Sequence, residues 1–122
     1  MHQRASNVYK SVDLESAPKE QIVARLIERL VVDLAVAKTA IGARDIQGKA
    51  AALSHAQRIL VELQASLDHA QAPEMCANLE RLYDYVNTQI NKAHITLTAQ
   101  PLDDASRVMT EVGDAFRQVA GR

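Results

Sequence analysis

Apolar residues recur every three or four positions along most of the chain, the spacing that places them on one face of an α-helix. In the first such stretch, Pro18 takes a favoured first helical position and the pattern continues to about Ala43. We therefore predict a first long helix over residues 18–43. Its predicted core-facing residues are Ile22, Val23, Leu26, Ile27, Leu30, Val31 and Leu34.

A second helix follows a break at Arg44-Asp45, where Asp45 is the predicted N-cap. A residue with a large aliphatic side chain then recurs every seven positions, as in the seam of a helical bundle. This seam consists of Ile46, Leu53, Leu60 and Leu67. Residues 68–72 are a predicted loop.

Two more helices complete the pattern, beginning at Pro73 and near Pro101. The third helix has an apolar face of Leu79, Leu82, Tyr83, Val86, Ile90, Ala93 and Leu97. The fourth has one of Leu102, Ala105, Val108, Met109, Val112, Phe116 and Val119. Short connections favour antiparallel neighbours. We expect an all-α protein, an antiparallel four-helix bundle that forms a single domain over residues 18–120.

Residues 1–17 precede the bundle as a predicted N-terminal arm or short helix. Its apolar residues Val8, Tyr9 and Val12 are too few for an independent helix, because isolated short helices are marginal in water. We expect the arm either to pack on the bundle or to lie over a binding groove and move away when a partner binds.

Composition agrees with a helical protein and narrows its setting. Of 122 residues, 20 are Ala and 12 are Leu, whereas only 3% are aromatic, which favours helices over sheets. The net charge of −1 argues against binding to nucleic acid or an acidic membrane. There is no apolar run of about 18 residues and no signal-peptide core, so we expect no membrane insertion. The single cysteine, Cys76, is consistent with a reducing, cytoplasmic setting and is expected to be an ordinary buried residue.

The motifs of enzymes and metal sites are absent from the sequence. It contains no Glu-x-x-His pair, no His-Glu-x-x-His, no Gly-rich phosphate loop and no Gly-x-Ser-x-Gly elbow. The four histidines lie far apart, without ligand spacing, and are expected at the surface. We therefore expect no catalytic residue, no metal and no cofactor, and a protein that is not an enzyme.

One alternative of another class rests on Ser54-His55-Ala56-Gln57-Arg58. A histidine phosphotransfer domain is also a small four-helix bundle, with an exposed histidine and a nearby cation. Arg58 lies one helical turn after His55, as that function requires. However, Ile59 occupies the position after the cation, where such domains usually have glycine. Phosphotransfer through His55 therefore stays a runner-up.

The first and third helices have more apolar residues than one core face needs. At about 100° per residue, Val32 and Val36 point nearly opposite to the main stripe of the first helix. In the third helix, Tyr85 lies roughly 120° from the centre of its stripe. Either these helices bury two faces inside the bundle, or the extra side chains form a groove for an apolar segment of another protein. The sequence leaves both interpretations open.

Several short motifs follow one another along the chain, and the strongest is Asn-Leu-Glu-Arg-Leu-Tyr-Asp-Tyr-Val over residues 78–86. The others are Asn7-Val8-Tyr9-Lys10, Ser16-Ala17-Pro18-Lys19-Glu20, Ser66-Leu67-Asp68, Ala93-His94 and Asp114-Ala115-Phe116. In this order they resemble the motifs of the flagellar secretion chaperone FliS family over nearly the whole chain, and residues 78–86 are similar to the family's Asn-Leu-x-x-Leu-Tyr-x-Tyr-Met. One departure is Arg25-Leu26-Ile27-Glu28-Arg29, where the family usually has Met-Leu-Tyr-Asp-Gly. There Ile27 replaces Tyr and Arg29 replaces Gly.

The resemblance implies a cytoplasmic export chaperone that binds the C-terminal region of flagellin, blocks premature polymerisation and keeps its client competent for type III secretion. The departure leaves a helical adaptor for another flagellar export or regulatory protein as an alternative. The oligomeric state expected is a monomer or weak homodimer. From the resemblance and the spacing together, the predicted partner-binding residues are Val8, Tyr9, Val12, Ile27, Val32, Val36, Tyr85, Val86 and Gln89.

Overall fold

The computed structural model describes residues 19–121 and contains four α-helices in this range. They are α1 (Lys19–Gly42), α2 (Ile46–Ala65), α3 (Pro73–Thr96) and α4 (Gln100–Ala120). The prediction of an all-α protein is confirmed. The predicted N-terminal arm, with Val8, Tyr9 and Val12, lies outside the described residues.

Local sequence signals fix the helix boundaries. The Asp45 carboxylate accepts a hydrogen bond from the backbone N–H of Gly48 at 2.9 Å, which confirms this residue as the N-cap of α2. Pro73 is the first residue of α3, and Pro101 lies in the first turn of α4, where a missing backbone N–H costs nothing.

The four helices form an antiparallel bundle in which each helix packs against two neighbours. Helix α1 packs against α2 and α4, and α3 packs against the same two helices from the other side. Side-chain pairs show the antiparallel order: Lys38 meets Asp103 at 2.9 Å near one end of α1, and Glu28 meets Arg117 at 3.0 Å nearer the other. Helices α1 and α3 are therefore diagonal to each other.

The core contains most of the side chains that the helical spacing predicted to be buried. Tyr83 is its largest fully buried residue. Burial, with a smaller contribution from the neighbouring Cys76, raises the pKa of Tyr83 to about 12. Cys76 is buried, as expected.

The prediction fails at the ends of the stripes. Ile46, Leu97 and Val119 are exposed, because each lies at or beyond the end of its helix, where no neighbouring helix covers it. Ile22 and Leu82 lie at the edges of their stripes and are also partly open to solvent.

Candidate partner-binding surfaces

The outer face of α1 exposes two valines on the side opposite the core. Val32 is 59% exposed and Val36 is 50% exposed. Of the two interpretations that the sequence left open, burial inside the bundle is therefore wrong for these residues. Residues four apart on a helix are neighbours, so the two side chains form one short apolar stripe, which we call the α1 outer face. Such a stripe is suited to packing against an amphipathic helix.

Two grooves flank this stripe, one on each side of α1. The groove between α1 and α2 has a volume of about 300 Å³ and the groove between α1 and α4 about 460 Å³. Val32 lines both of them, so it forms the wall that separates the two grooves. Val31 adds a second, half-buried valine to the groove between α1 and α4.

The floor of the groove between α1 and α4 depends on Gly113. A β-carbon placed at this position would lie 3.0 Å from the Cγ2 of Ile27, closer than side chains normally pack. Glycine therefore lets α4 approach α1 closely at this level, with Ile27 filling the space between them. Ile27, which was predicted to contact a partner, is buried, so this prediction is corrected: the residue supports the groove from below.

Charged side chains border both grooves. Arg117 bridges from α4 to Glu28 on α1 at 3.0 Å and also contacts Asp114 on its own helix. Arg29, one of the departures from the family motif, is exposed and lines the groove between α1 and α2. The wall of that groove therefore carries a cation at the position where the family motif usually has glycine.

Asp33 and His55 join α1 to α2 in the groove between these helices. The Asp33 carboxylate lies 2.5 Å from the His55 Nδ1, and Asp33 is the only polar residue between Leu30 and Ala37. The guanidinium of Arg58 hydrogen-bonds to Ser54, on its own helix, at 3.4 Å. The Arg58 guanidinium is thus held by its own helix, and no hydrogen bond within residues 19–121 joins it to His55, so phosphotransfer stays the runner-up.

Helix α3 carries a second surface around Tyr85. This side chain is 41% exposed, and Gln89, one turn further along, is half-buried. Leu82 adds an exposed aliphatic neighbour on the same side of α3. Val86, which was also predicted to contact a partner, is fully buried, and the prediction is corrected for this residue. We call Leu82, Tyr85 and Gln89 the α3 surface.

The structure does not bring the α1 outer face and the α3 surface together. Because α1 and α3 are diagonal in the bundle, side chains that point away from the core on these helices face different sides of the molecule. The predicted single groove is thus corrected to two separate surfaces. A partner that contacts both of them has to pass around the bundle.

A further cavity, of about 330 Å³, lies at the end of the bundle where α1 begins. We call it the arm-end cavity, because Lys19, the first described residue after the predicted arm, lines it. Its apolar wall includes Met75 from α3 and Phe116 from α4. Sequence analysis missed this cavity, because its wall is assembled from residues distant in the chain.

Within residues 19–121, none of the four helices is both long enough and apolar enough to cross a membrane. In the same range, no group of three or more His, Cys, Asp or Glu side chains is placed so that it could hold a metal ion.

Comparison with known proteins gives one family match and several relatives. A model of the family described as flagellar protein FliS matches residues 1–122. The flagellar secretion chaperone FliS of Salmonella typhimurium is 29% identical over 117 residues, which cover 92% of this chain and 87% of that protein. The flagellar secretion chaperone FliS of Vibrio cholerae is 29% identical over 115 residues, covering 91% and 85%. The flagellar secretion chaperone FliSB of Pseudomonas aeruginosa is 28% identical over 113 residues, covering 89% and 90%.

Proposed function

The chain belongs to the flagellar protein FliS family, and from this membership we propose that it is a non-enzymatic export chaperone of the bacterial flagellum. Its client is the C-terminal segment of flagellin, which it binds in the cytoplasm. Binding covers the apolar faces through which flagellin polymerises and keeps the monomer competent for type III secretion. The chain uses no metal and no cofactor for this task.

The observation that carries this proposal is the exposure of Val32, which lines two grooves, and of Val36, one helical turn further along. An amphipathic client helix that lies along α1 buries these valines and places its own apolar side chains in the grooves. Each square ångström of apolar surface removed from water contributes roughly 25 cal/mol. A good anchor side chain then contributes about 1–2 kcal/mol, or roughly ten- to thirty-fold in affinity.

A disordered client suits two separate surfaces better than a folded partner does. A flexible segment can follow the bundle from the α1 outer face to the α3 surface, whereas a rigid partner would reach only one of them. Ordering the segment costs conformational entropy, which lowers the affinity per unit of buried area. Moderate affinity favours release of the client at the export machinery.

The predicted arm has a place in this proposal. Residues 1–17 lead into Lys19, which lines the arm-end cavity. We propose that Val8, Tyr9 and Val12 cover apolar surface of the bundle when no client is bound, and that the arm moves away when the client occupies the surface.

Seeded polymerisation of purified flagellin tests the proposed function. An equimolar amount of the chain should stop growth of filament fragments, because it captures the monomer's C-terminal segment. The Val32→Asp variant should lose much of this effect, since it places an unpaired charge in the contact. Val61→Asp is the matched control, because Val61 is 64% exposed on α2, outside both grooves of α1. Filament growth that continues unchanged with the unmodified chain would contradict the proposal.

An adaptor for a different flagellar protein remains the second candidate, and the position of Arg29 favours it. This cation lines the groove between α1 and α2 beside Glu28 and Asp33, at a position where the family motif usually has glycine, so it changes the surface that a client segment meets. Affinity capture from a lysate of flagellated cells, followed by mass spectrometry, separates the two. Flagellin as the main captured protein supports the first candidate, and another flagellar protein supports the second.

A further inference from the structure

A cavity of about 250 Å³ lies at the end of the bundle opposite the arm-end cavity, where α1 turns into α2 and α3 turns into α4. We call it the turn-end cavity. Ile41, Ile46 and Leu97 provide an aliphatic wall, and Lys49 with Arg44 provides positive charge. The proposed function above makes no use of this cavity.

Lys49 is the charged residue on which the inference depends. It is only 4% exposed, and its Nζ donates a hydrogen bond to the backbone carbonyl of His94 at 3.3 Å. That carbonyl lies in the last turn of α3, where the helix dipole favours a cation. Within residues 19–121, Lys49 forms no ion pair with a carboxylate. An anion in the cavity would give this ammonium a charged partner in addition to the backbone carbonyl of His94.

Asp45 is the one acidic residue that lines the turn-end cavity. Its carboxylate accepts the hydrogen bond from Gly48 N–H that caps α2, so it already has a structural role. Lys49 and Arg44 are positively charged and Asp45 is negatively charged, so the residues that line the cavity have a net charge of +1. This balance matches a monoanion such as a carboxylate better than a phosphate dianion.

The aliphatic wall is unusually open and its backbone is strained. Ile46 is 58% exposed and Leu97 is 50% exposed, although the sequence pattern predicted both to be buried. Arg44 and Leu97 both have a φ of 58°, in the left-handed region, and no other non-glycine residue within 19–121 has a positive φ. Both line this cavity. Both residues end a helix, where a left-handed residue is common, so their conformation shapes the two turns that border the cavity.

We propose that the turn-end cavity binds the C-terminal residue of a polypeptide whose last side chain is aliphatic. The terminal carboxylate accepts a hydrogen bond from Lys49 and faces Arg44 at the rim. The aliphatic side chain packs against Ile41, Ile46 and Leu97. The inference deepens the proposed function, since it gives the bundle a site for a client's chain end, far from the arm-end cavity.

Two peptides of the same sequence test the proposal on the full chain. One is N-acetyl-Gly-Ser-Gly-Ala-Leu-Leu with a free carboxylate, and the other is its C-terminal amide. In a titration followed by methyl NMR, the free acid should shift the resonances of Ile46 and Leu97 and should bind at least tenfold more tightly than the amide. Equal affinity for the two peptides, or shifts confined to other residues, would overturn the proposal.

The Lys49→Met variant removes the charge and keeps a side chain of similar length. It should lose the preference for the acid over the amide, whereas Lys92→Met, a change at an exposed lysine of α3, should keep it. A thermal melt of each variant checks that it is folded. If Lys49→Met does not fold, the affinities of the unmodified chain for the peptide acid and for its amide still test the proposal.

Isovalerate, an aliphatic carboxylate without a peptide chain, distinguishes a small-molecule site. If isovalerate binds as tightly as the peptide acid, the cavity takes free acids and the proposal is wrong. The Val32→Asp variant tests the proposed function separately, on the α1 outer face. It should lose affinity for the flagellin segment and keep its affinity for the peptide acid. If the unmodified chain binds flagellin but has equal affinity for the peptide acid and its amide, the inference about the turn-end cavity is wrong and the proposed function stands.

Discussion

Arg44 lies in the turn between α1 and α2 with a φ of 58°, a left-handed conformation that glycine adopts at little cost. It lies two residues after Gly42, the last residue of α1, at a position where glycine is strongly favoured, and its N–H donates to the carbonyl of Ile41 at 3.1 Å. An arginine in this conformation therefore costs stability that a glycine at the same place would not.

Replacing Arg44 by glycine should therefore stabilise the fold. We expect the free energy of unfolding to rise by about 0.5–1 kcal/mol, because relief of the left-handed strain exceeds the added freedom of the unfolded chain. Urea unfolding measures this change. The matched control is Ala43→Gly, one residue earlier, where φ is not positive and glycine should lower stability. A decrease in stability for Arg44→Gly would show that its side chain contributes more than the strain costs.

Tyr83 gives a residue-scale prediction about alkaline pH. Its pKa rises from 10.0 in the unfolded chain to about 12 in the fold, chiefly because of burial. Above pH 10 the unfolded state releases the phenol proton first, so the stability from the neutral buried phenol is lost as the pH rises toward 12. The full shift corresponds to about 2–3 kcal/mol.

The variant Tyr83→Phe should show a smaller loss of stability than the unmodified chain between pH 10 and pH 12. Tyr85→Phe, at an exposed position, serves as the control and should follow the unmodified chain. Chemical denaturation at a series of alkaline pH values provides the comparison. If the unmodified chain and Tyr83→Phe lose stability in parallel, the buried phenol is not the cause.

At the scale of the elements, hydrophobic spacing and local signals were enough to place all four helices. Asp45 and the prolines mark helix starts through backbone chemistry that depends only on nearby residues. The same spacing also set Val32, Val36 and Tyr85 aside from the core stripes, and all three are exposed. The helical spacing also placed Ile27 and Val86 on the core faces of their helices. Their prediction as partner contacts came from the family resemblance. For Ile27 and Val86, burial in the structure agrees with the helical spacing.

The N-cap of α2 gives the element-scale prediction. Asp45→Ala should lower stability by about 1 kcal/mol, since the Gly48 N–H would lose its acceptor. Asp45→Asn keeps an acceptor oxygen at the same place and should retain most of the stability. Thermal or urea unfolding of the two variants tests the cap. An equal loss in both would mean that the charge of Asp45 near Lys49, rather than its cap, stabilises the turn.

At the scale of the whole molecule, what sequence reasoning lacked was the arrangement of helices around the bundle. Spacing along one helix gives the direction of its side chains relative to its own core face, but it does not say which helix lies diagonal to it. Val32 and Tyr85 were therefore assigned to one groove although they face different sides. Lys49 lies on the core face of α2, four residues before Leu53, but its burial could not be predicted from the spacing because lysine is seldom fully buried.

The arm supplies a prediction at this scale. Deletion of residues 1–15 should leave the bundle folded, because the four described helices share a core of buried side chains of their own. It should also change the affinity for the client, since the arm and the client compete for apolar surface. Circular dichroism and titration calorimetry on the truncated chain measure the two effects. A truncated chain that is unfolded would show that the arm is part of the core.

The central claim is that the α1 outer face binds the C-terminal segment of flagellin, and titration calorimetry of that segment against three chains tests it most directly. The unmodified chain and Val61→Asp should bind the segment with equal affinity, whereas Val36→Asp should bind it at least tenfold more weakly. The melting temperature of Val36→Asp should be nearly unchanged, because the Val36 side chain is half exposed. Equal affinity of all three chains for the segment would contradict the account.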